Sequence, residues 1–414
     1  MSVFESAAEL SAHLESEILA GRLAPGDRLD PVRAAASALG LAPNTVASAY
    51  RTLSERGLVI GRGRRGTFVA DRRPSFAPEP LIPEDAVDLA SGNPDPDLLP
   101  DLGVVMRRIE VPGTLYGDEP VMAEFEQAVR AHLVDPPGEM AVVSGALDGI
   151  ERVLAAHLRP GDRVGIENPG WPAMADLVRA MLLRPVPIDI DEQGLVPESL
   201  QSVVGGLDAR VLTSRVQHPP GACTSAGRAD RLVAILGGFP DLLVVEDDHA
   251  GPISGSGLCA IGPGRRRWAL AASVSKAIGP DLRIAALFGD PATIEAVRGR
   301  QGVGPGWVSH LLQRIAGAVI SEHHGTFVRA TDTYHERREG LLTALAAQGL
   351  TIDAPSGLNV WVPMPDPASA VAACLEAGYA IRSGDAFVLD DSRAVRVTTS
   401  RMTPSQASDV ARVL

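Results

Sequence analysis

Beyond residue 88 the sequence alternates between short apolar runs and longer stretches of helical spacing. This alternation narrows the possible architectures more than any other feature. The runs MAVVSG (140–145), RVGIEN (163–168), RVLTS (210–214), LLVVED (242–247), WALAAS (268–273) and RIAALFGD (283–290) have strand length and little polar alternation. DGIERVLAAHL (148–158) and RADRLVAILGG (228–238) lie between such runs and place apolar residues at helical spacing. Buried strands separated by helices predict an α/β domain around a largely parallel sheet. After about residue 325 a long helix is followed by GLNVWVPM, YAIRSGDAF and AVRVTTS with helices between. That change predicts a smaller α+β subdomain.

Ahead of this body lies RPSFAPEPLIPEDAV, residues 73–87, with four prolines. Such a segment is a semi-stiff linker, able to span roughly 45 Å at about 3.1 Å per residue, and it marks a domain boundary. Residues 1–72 therefore form a separate head, and residues 88–414 the body. The head reads as three helices and a small hairpin. Leu10, Leu14 and Ile18 keep helical spacing in the first, PVRAAASALG is the second, and APNTVASAYRTLSERG is the third. LVIGRGRRGTFVA gives two short strand-like runs around a Gly/Arg-rich turn.

Charge separates the two parts. The whole chain has net charge -13, yet residues 1–73 hold ten arginines against eight acidic side chains. A weakly basic head on an acidic body points to different partners for each, and only the head suits nucleic acid. The three cysteines, Cys223, Cys259 and Cys374, lie far apart and no metal-ligand spacing exists, so neither a disulfide framework nor a metal site is expected. The acidic, amphipathic N-terminus is not a signal peptide, and no apolar run reaches membrane-spanning length. A cytoplasmic location is the expectation.

The third head helix has the form of a DNA-recognition helix. Asn44, Thr45 and Ser48 lie in its first turns, where short polar groups reach phosphates or base edges in a major groove. Arg51 follows one turn later, while Val46, Ala49, Tyr50 and Leu53 face the head's own core. Arg62, Arg64 and Arg65 sit on the Gly-flanked turn, where guanidinium groups suit phosphate contact or minor-groove insertion.

The body raises a different question. Of 38 basic Lys and Arg positions, only Lys276, in SVSKAIGPDLR, is lysine. Chemistry gives one reason to keep an amine there: unlike guanidinium, it can lose its proton and condense with an aldehyde. The surroundings fit an aldehyde that also bears a phosphate. Ser273 and Ser275 supply hydroxyls, and Arg283 an anion clamp. A strand ends at Ser144-Gly145 and a helix opens at Ala146-Leu147, leaving backbone N–H groups free for phosphate. Trp171 in IENPGWPA offers a flat ring for stacking. Asp247 ends a buried strand and suits a pyridinium nitrogen, and His249 and His218 suit a phenolate oxygen. Strand C-terminal ends are where open α/β sheets bind ligands. The run Arg265–Arg267 reads as a solvated loop.

The head, through GRLAPGDRL, Arg33, NTVASAYRTLSERGLV and GRRGTFV, resembles the winged helix-turn-helix domain of the GntR superfamily. Asp30-Pro31 before Val32-Arg33 departs from the usual pattern. The order of phosphate turn, aromatic, His, Asp, Lys and Arg over residues 88–414 resembles the fold type I aminotransferases. That resemblance implies pyridoxal 5'-phosphate held as an internal aldimine on Lys276, with Asp247 on the ring nitrogen and Trp171 stacked on the ring. It implies that Gly145, Ala146, Leu147, Ser273, Ser275 and Arg283 hold the phosphate. It further implies that Tyr116 reaches the phosphate of the neighbouring subunit and that Arg396 clamps an effector carboxylate. His218 and His249 stand where the family usually has Asn and Tyr, and QHPPG replaces its usual turn.

Head and body together resemble the MocR-type transcriptional regulators. The resemblance implies a homodimer that binds double-stranded operator DNA and uses pyridoxal phosphate, with or without an amino compound, as its signal. Two other readings compete: a working aminotransferase with an accessory head, and a cofactor reservoir without operator preference.

Overall fold

The computed structural model describes residues 4, 6–20, 22–24, 26–55, 58–61, 66–69, 82–110, 112–390 and 392–414. The chain folds as two compact units, one containing the head and the other most of the body.

In the head, helices α1 (Ala7–Leu19), α2 (Val32–Leu39) and α3 (Pro43–Glu55) precede strands β1 (Val59–Gly61) and β2 (Thr67–Val69). Ser6 caps α1, its hydroxyl accepting from the Glu9 N–H at 3.2 Å. The strands pair antiparallel with Val59 opposite Val69. Leu10, Val46, Ala49, Leu53, Leu58 and Val69 are all buried in one core. Tyr50 stays in that core by donating its hydroxyl to the Asp30 carbonyl at 2.9 Å. The expected wing residues Arg62, Arg64 and Arg65 lie outside the described residues.

The body opens with β3 (Val87–Asp88), α4 (Leu102–Met106) and α5 (Ala123–His132). Strand and helix then alternate: β4 (Glu139–Val143), α6 (Ala146–His157), β5 (Arg163–Asn168), α7 (Pro172–Ala180), β6 (Arg184–Asp191), β7 (Gly194–Leu195), α8 (Pro197–Val203), β8 (Ala209–Leu212), α9 (Ala226–Gly237) and β9 (Leu243–Asp248). The series continues with β10 (Trp268–Ser273), α10 (Ser275–Ile278), β11 (Ala285–Gly289), α11 (Pro291–Gly302), α12 (His310–Glu322) and α13 (His324–Ala347). The chain ends with β12 (Asn359–Pro363), α14 (Pro367–Glu376), β13 (Tyr379–Ala380), β14 (Arg382–Ser383), β15 (Ala394–Thr398) and α15 (Pro404–Val413).

Eight strands form one sheet in the order β4-β11-β10-β9-β8-β5-β6-β7. β8, β9 and β10 run parallel, whereas β11 is antiparallel to both β10 and β4. The fold is thus α/β with a mixed sheet. Strands β8, β9, β10 and β11 are buried throughout, β10 and β11 mostly with apolar side chains, while β8 carries Arg210 and β9 ends in Glu246, Asp247 and Asp248.

The second body core belongs to the smaller subdomain. β12, β15 and β14 form its sheet, and Leu341, Val360, Val395 and Val410 fill its interior. Leu89 is fully buried in the same core, and β3 pairs with β13. The subdomain expected after residue 325 therefore also takes in the first strand of the body. Two residues of strand are too short to announce themselves as a periodic pattern.

Arg265 departs from the solvated-loop expectation. Its guanidinium donates to the Leu236 and Phe239 carbonyls at 3.1 and 2.6 Å, neutralising unpaired groups at the end of α9.

Candidate functional site

β10 carries the chain through Ser273 to α10, where Lys276 sits at the mouth of a cleft it shares with His218, His249, Gly92 and Asn359. Lys276 Nζ donates to the Gly92 carbonyl at 2.8 Å. Ser273 Oγ accepts from the Ser275 N–H at 3.2 Å and lies 3.3 Å from Ser275 Oγ. Both hydroxyls therefore stand together in the three residues before the lysine.

β9 runs beside β10, with Asp247 in register with Ala271. Asp247 is buried, and its Oδ1 has no hydrogen-bond partner. Burial, reinforced by the neighbouring Asp248 and Glu167 charges, pushes its carboxyl up to about 8. A buried acid with an unpartnered oxygen can donate its proton to a neutral ring nitrogen or, once ionised, pair with a protonated one. Asp248, next in line, is committed elsewhere: Arg215 donates to both of its oxygens, at 2.8 and 2.6 Å.

Both histidines stay neutral. Burial and then the Lys276 charge lower His249 to about 4. Burial, followed by Arg396, holds His218 well below the usual imidazole range. Arg396 lies 3.1 Å from His218 Nε2 and also donates to the Ala90 carbonyl, with its guanidinium carbon 5.1 Å above the centre of the Phe387 ring. Arg396 is itself buried, with Nη1 toward His218 and Nη2 toward the Ala90 carbonyl.

Two further residues expected at a phosphate, Gly145 and Arg283, meet at the end of β4. Gly145 separates β4 from α6 at φ +101, and a Cβ there would stand 2.6 Å from Arg283 Nη2. The positive φ favours glycine, and any side chain there would require the Arg283 guanidinium to move. Arg283 itself adopts φ +45, a left-handed conformation that costs a non-glycine residue about 1–2 kcal/mol. Its Nη2 lies 3.3 Å from the Ser144 carbonyl. Ala146 and Leu147 begin α6, whose first N–H groups face outward along the helix axis. Trp171 is 39% exposed between β5 and α7. Tyr116 is 93% exposed, with Trp307 edge-on at 5.7 Å.

Several members of the site were not singled out from sequence. Gly92 holds the lysine, and Asn359 lies 3.4 Å from His218 Nδ1. Glu167 accepts from the Thr213 N–H and the Gln217 amide at 2.9 and 3.0 Å, and burial raises it to about 7. It thereby anchors the loop that carries His218. An acidic residue within the strand-length RVGIEN run was the available signal. Nearby, Arg210 is fully buried with no hydrogen bond to its guanidinium, beside the charges of Glu167 and Glu246.

On the head, Asn44 and Arg51 of α3 and Arg33 of α2 are exposed, and Thr45 and Ser48 are half-buried. All five remain open to a polar partner while the opposite face of α3 is buried. No helix among the described residues is long and apolar enough to cross a membrane, and none of their side chains form a metal-type cluster.

Comparison with known proteins matches both parts. Residues 84–414 match the family described as aminotransferase class I and II, and residues 6–69 the bacterial regulatory proteins of the gntR family. The vitamin B6 salvage pathway transcriptional repressor PtsJ of Salmonella typhimurium is 36% identical over 98% of this chain and 97% of its own. The HTH-type transcriptional regulator TauR of Rhodobacter capsulatus is 27% identical over 84% and 82%. Among solved structures, LysN, an alpha-aminoadipate aminotransferase from Thermus thermophilus complexed with N-(5'-phosphopyridoxyl)-L-leucine, superposes with a TM-score of 0.69 at 20% identity, covering 80% of this chain and 92% of its own.

Proposed function

Because this chain belongs to the aminotransferase class I and II family over residues 84–414 and carries a gntR-family module over residues 6–69, we propose that it is a transcriptional regulator whose DNA binding responds to pyridoxal 5'-phosphate. The observation that carries the cofactor reading is Asp247, a buried acid with an unpartnered oxygen on the strand beside the one that leads to the only lysine. The name of the PtsJ relative supports vitamin B6 as the signal and B6 salvage genes as targets.

The residues present fit the group. When bound, pyridoxal phosphate supplies an aldehyde that accepts an amine and a pyridine ring that accepts a proton. Lys276 provides the amine. Asp247 holds a proton at its carboxyl and faces a ring nitrogen with it. Arg283, Ser273, Ser275, Gly145 and the first N–H groups of α6 at Ala146 and Leu147 bind the phosphate. Trp171 covers one ring face, and His218 and His249 donate to the ring oxygen. Tyr116, exposed here, reaches the phosphate in the second subunit of a homodimer. Arg396 orients any carboxylate that accompanies the signal.

The head, residues 1–72, reads operator DNA through Arg33, Asn44, Thr45, Ser48 and Arg51, joined by Arg62, Arg64 and Arg65 on the wing. The linker at 73–87 joins it to the effector body, residues 88–414. Contact with chromosomal DNA makes the location cytoplasmic. The cofactor changes DNA binding only by favouring one arrangement of the protein over another.

The test is a titration of labelled DNA from upstream of the protein's own gene, with and without pyridoxal phosphate, using the wild type and Lys276→Ala. The expected result is a cofactor-dependent shift in the wild type and none in the variant. A wild type that binds identically in both conditions contradicts the proposal. The aminotransferase-family match also supports residual transamination, which sustained keto-acid production would reveal. Such turnover without DNA binding would replace the regulator reading.

A further inference from the structure

The lysine that provides the amine holds a strap of backbone, and that strap is the first part of the body after the linker. Residues 87–89 are fixed by sheet bonds: the Val87 and Leu89 N–H groups donate to Gly378 and Ala380 at 2.8 and 2.9 Å. The Thr398 N–H donates to the Leu89 carbonyl at 2.8 Å. Beyond Leu89 the Ala90 and Ser91 N–H groups donate to Asp88 Oδ1, both at 2.9 Å, the Asn93 N–H donates to Ser91 Oγ at 3.3 Å, and the other holds are side chains around the cleft. Arg396 donates to the Ala90 carbonyl. The Gly92 N–H donates to Thr398 Oγ1 at 3.1 Å, and Lys276 Nζ donates to the Gly92 carbonyl at 2.8 Å. Regular fixation resumes at Asp95, whose N–H donates to the Tyr334 hydroxyl at 3.0 Å.

Gly92 is the centre of this strap. Its φ is +70, and a Cβ would stand 3.1 Å from Arg396 Nη1. The conformation and the close approach both favour glycine. The carbonyl of Gly92 faces the amine, and its Cα faces the guanidinium. Both groups that the proposed function assigns to ligand therefore hold one short segment of main chain.

We propose that residues 90–94 are the element through which cofactor occupancy is read. This inference rests on the proposed role of Lys276. An amine committed to an aldehyde carries fewer N–H donors and is drawn toward the ring, so the Gly92 carbonyl loses its charged donor. A carboxylate on Arg396 would compete in the same way for the hold on Ala90. Release of the strap alters the segment directly downstream of the linker. No covalent step beyond condensation of the amine with the aldehyde, with loss of water, is required.

Hydrogen–deuterium exchange on the full-length protein tests this, with absorbance recording cofactor attachment independently. The expected result is exchange at the 90–93 amides about tenfold faster with pyridoxal phosphate than without. Lys276→Ala without cofactor shows the same acceleration and no further response to it. Thr398→Val, which removes the acceptor of the Gly92 N–H, accelerates the same amides while the absorbance band still forms. Attachment in the wild type with unchanged exchange at 90–93 overturns the strap while leaving the cofactor reading intact. Absence of the absorbance band defeats the cofactor reading itself and, with it, this readout role. Unchanged exchange in unliganded Lys276→Ala also overturns the strap.

Discussion

Arg283 and Ser144 meet across two segments that the sequence separates by more than a hundred residues: Arg283 Nη2 lies 3.3 Å from the Ser144 carbonyl. The contact follows from the sheet, because β11 pairs antiparallel with β4 and sets Ala285 opposite Val143. The arginine before one strand and the turn after the other are thereby brought to the same place. This is the point where the proposed phosphate site is assembled.

Arg283→Ala is accordingly expected to weaken pyridoxal phosphate binding about 10- to 100-fold, the worth of a charge-assisted anion contact. Binding of pyridoxal, which lacks the phosphate, should change little. Equilibrium titrations followed by absorbance give both values. An equal loss for the two compounds would show that Arg283 acts on something other than phosphate.

Acidic groups dominate the pH dependence above neutrality. Asp247 and Glu167 are raised to about 8 and about 7 by burial, so the folded state binds protons that the unfolded chain releases near pH 4. Their stabilising contribution is complete below the unfolded values and is lost as pH rises through the folded ones. His249, lowered to about 4, acts in the opposite sense, its contribution being lost as pH falls from about 6.5 toward 4. Between about pH 6.5 and 8 the carboxyl effect is the main one. The cofactor-free protein should therefore lose stability between about pH 6.5 and 8, by no more than about 1.4 kcal/mol per pH unit for each proton. Asp247→Asn should flatten that slope. Thermal unfolding across this range measures it.

Arg215 and Asp248 form a buried two-point ion pair, with their side chains 8% and 2% exposed. Arg215→Ala leaves an uncompensated carboxylate in the body core and should cost about 3–5 kcal/mol. Replacing both partners by apolar residues should cost much less. Denaturant unfolding of the single and double variants separates the two outcomes.

On the head, Arg51→Ala should weaken DNA binding at all sequences alike and reduce the salt slope of log K by about 1. Asn44→Ala or Thr45→Ala should instead relax sequence preference by about 1–3 kcal/mol at the contacted base pair. Anisotropy titrations at several salt concentrations distinguish the two classes, and cofactor absorbance should stay unchanged in all three variants.

The fold was legible where periodicity was strong. Each of the six apolar runs contains or overlaps a strand, and α6 and α9 lie where the helical spacing placed them. β6 was missed because RPVPIDID contains two prolines and its polar residues obscure the period. The antiparallel direction of β11 was also hidden, since strand direction depends on the connection and leaves no mark on composition. At the site, residues with distinctive chemistry, Lys276, Asp247 and Arg283, drew attention at once. Gly92 did not, because its contribution is a main-chain carbonyl and every residue has one. Glu167 and Gln217 act by positioning a loop, and that role is visible only when their partners are in place.

The central claim is that cofactor and operator bind to one coupled system. Coupling is reciprocal: whatever factor pyridoxal phosphate imposes on DNA affinity, saturating DNA must impose on the affinity for pyridoxal phosphate. The most direct measurement is the Kd of pyridoxal phosphate, followed by absorbance, in the absence and presence of saturating operator DNA. The account predicts two different values, with a ratio equal to the shift in operator Kd caused by the cofactor. Identical values with and without DNA would contradict it.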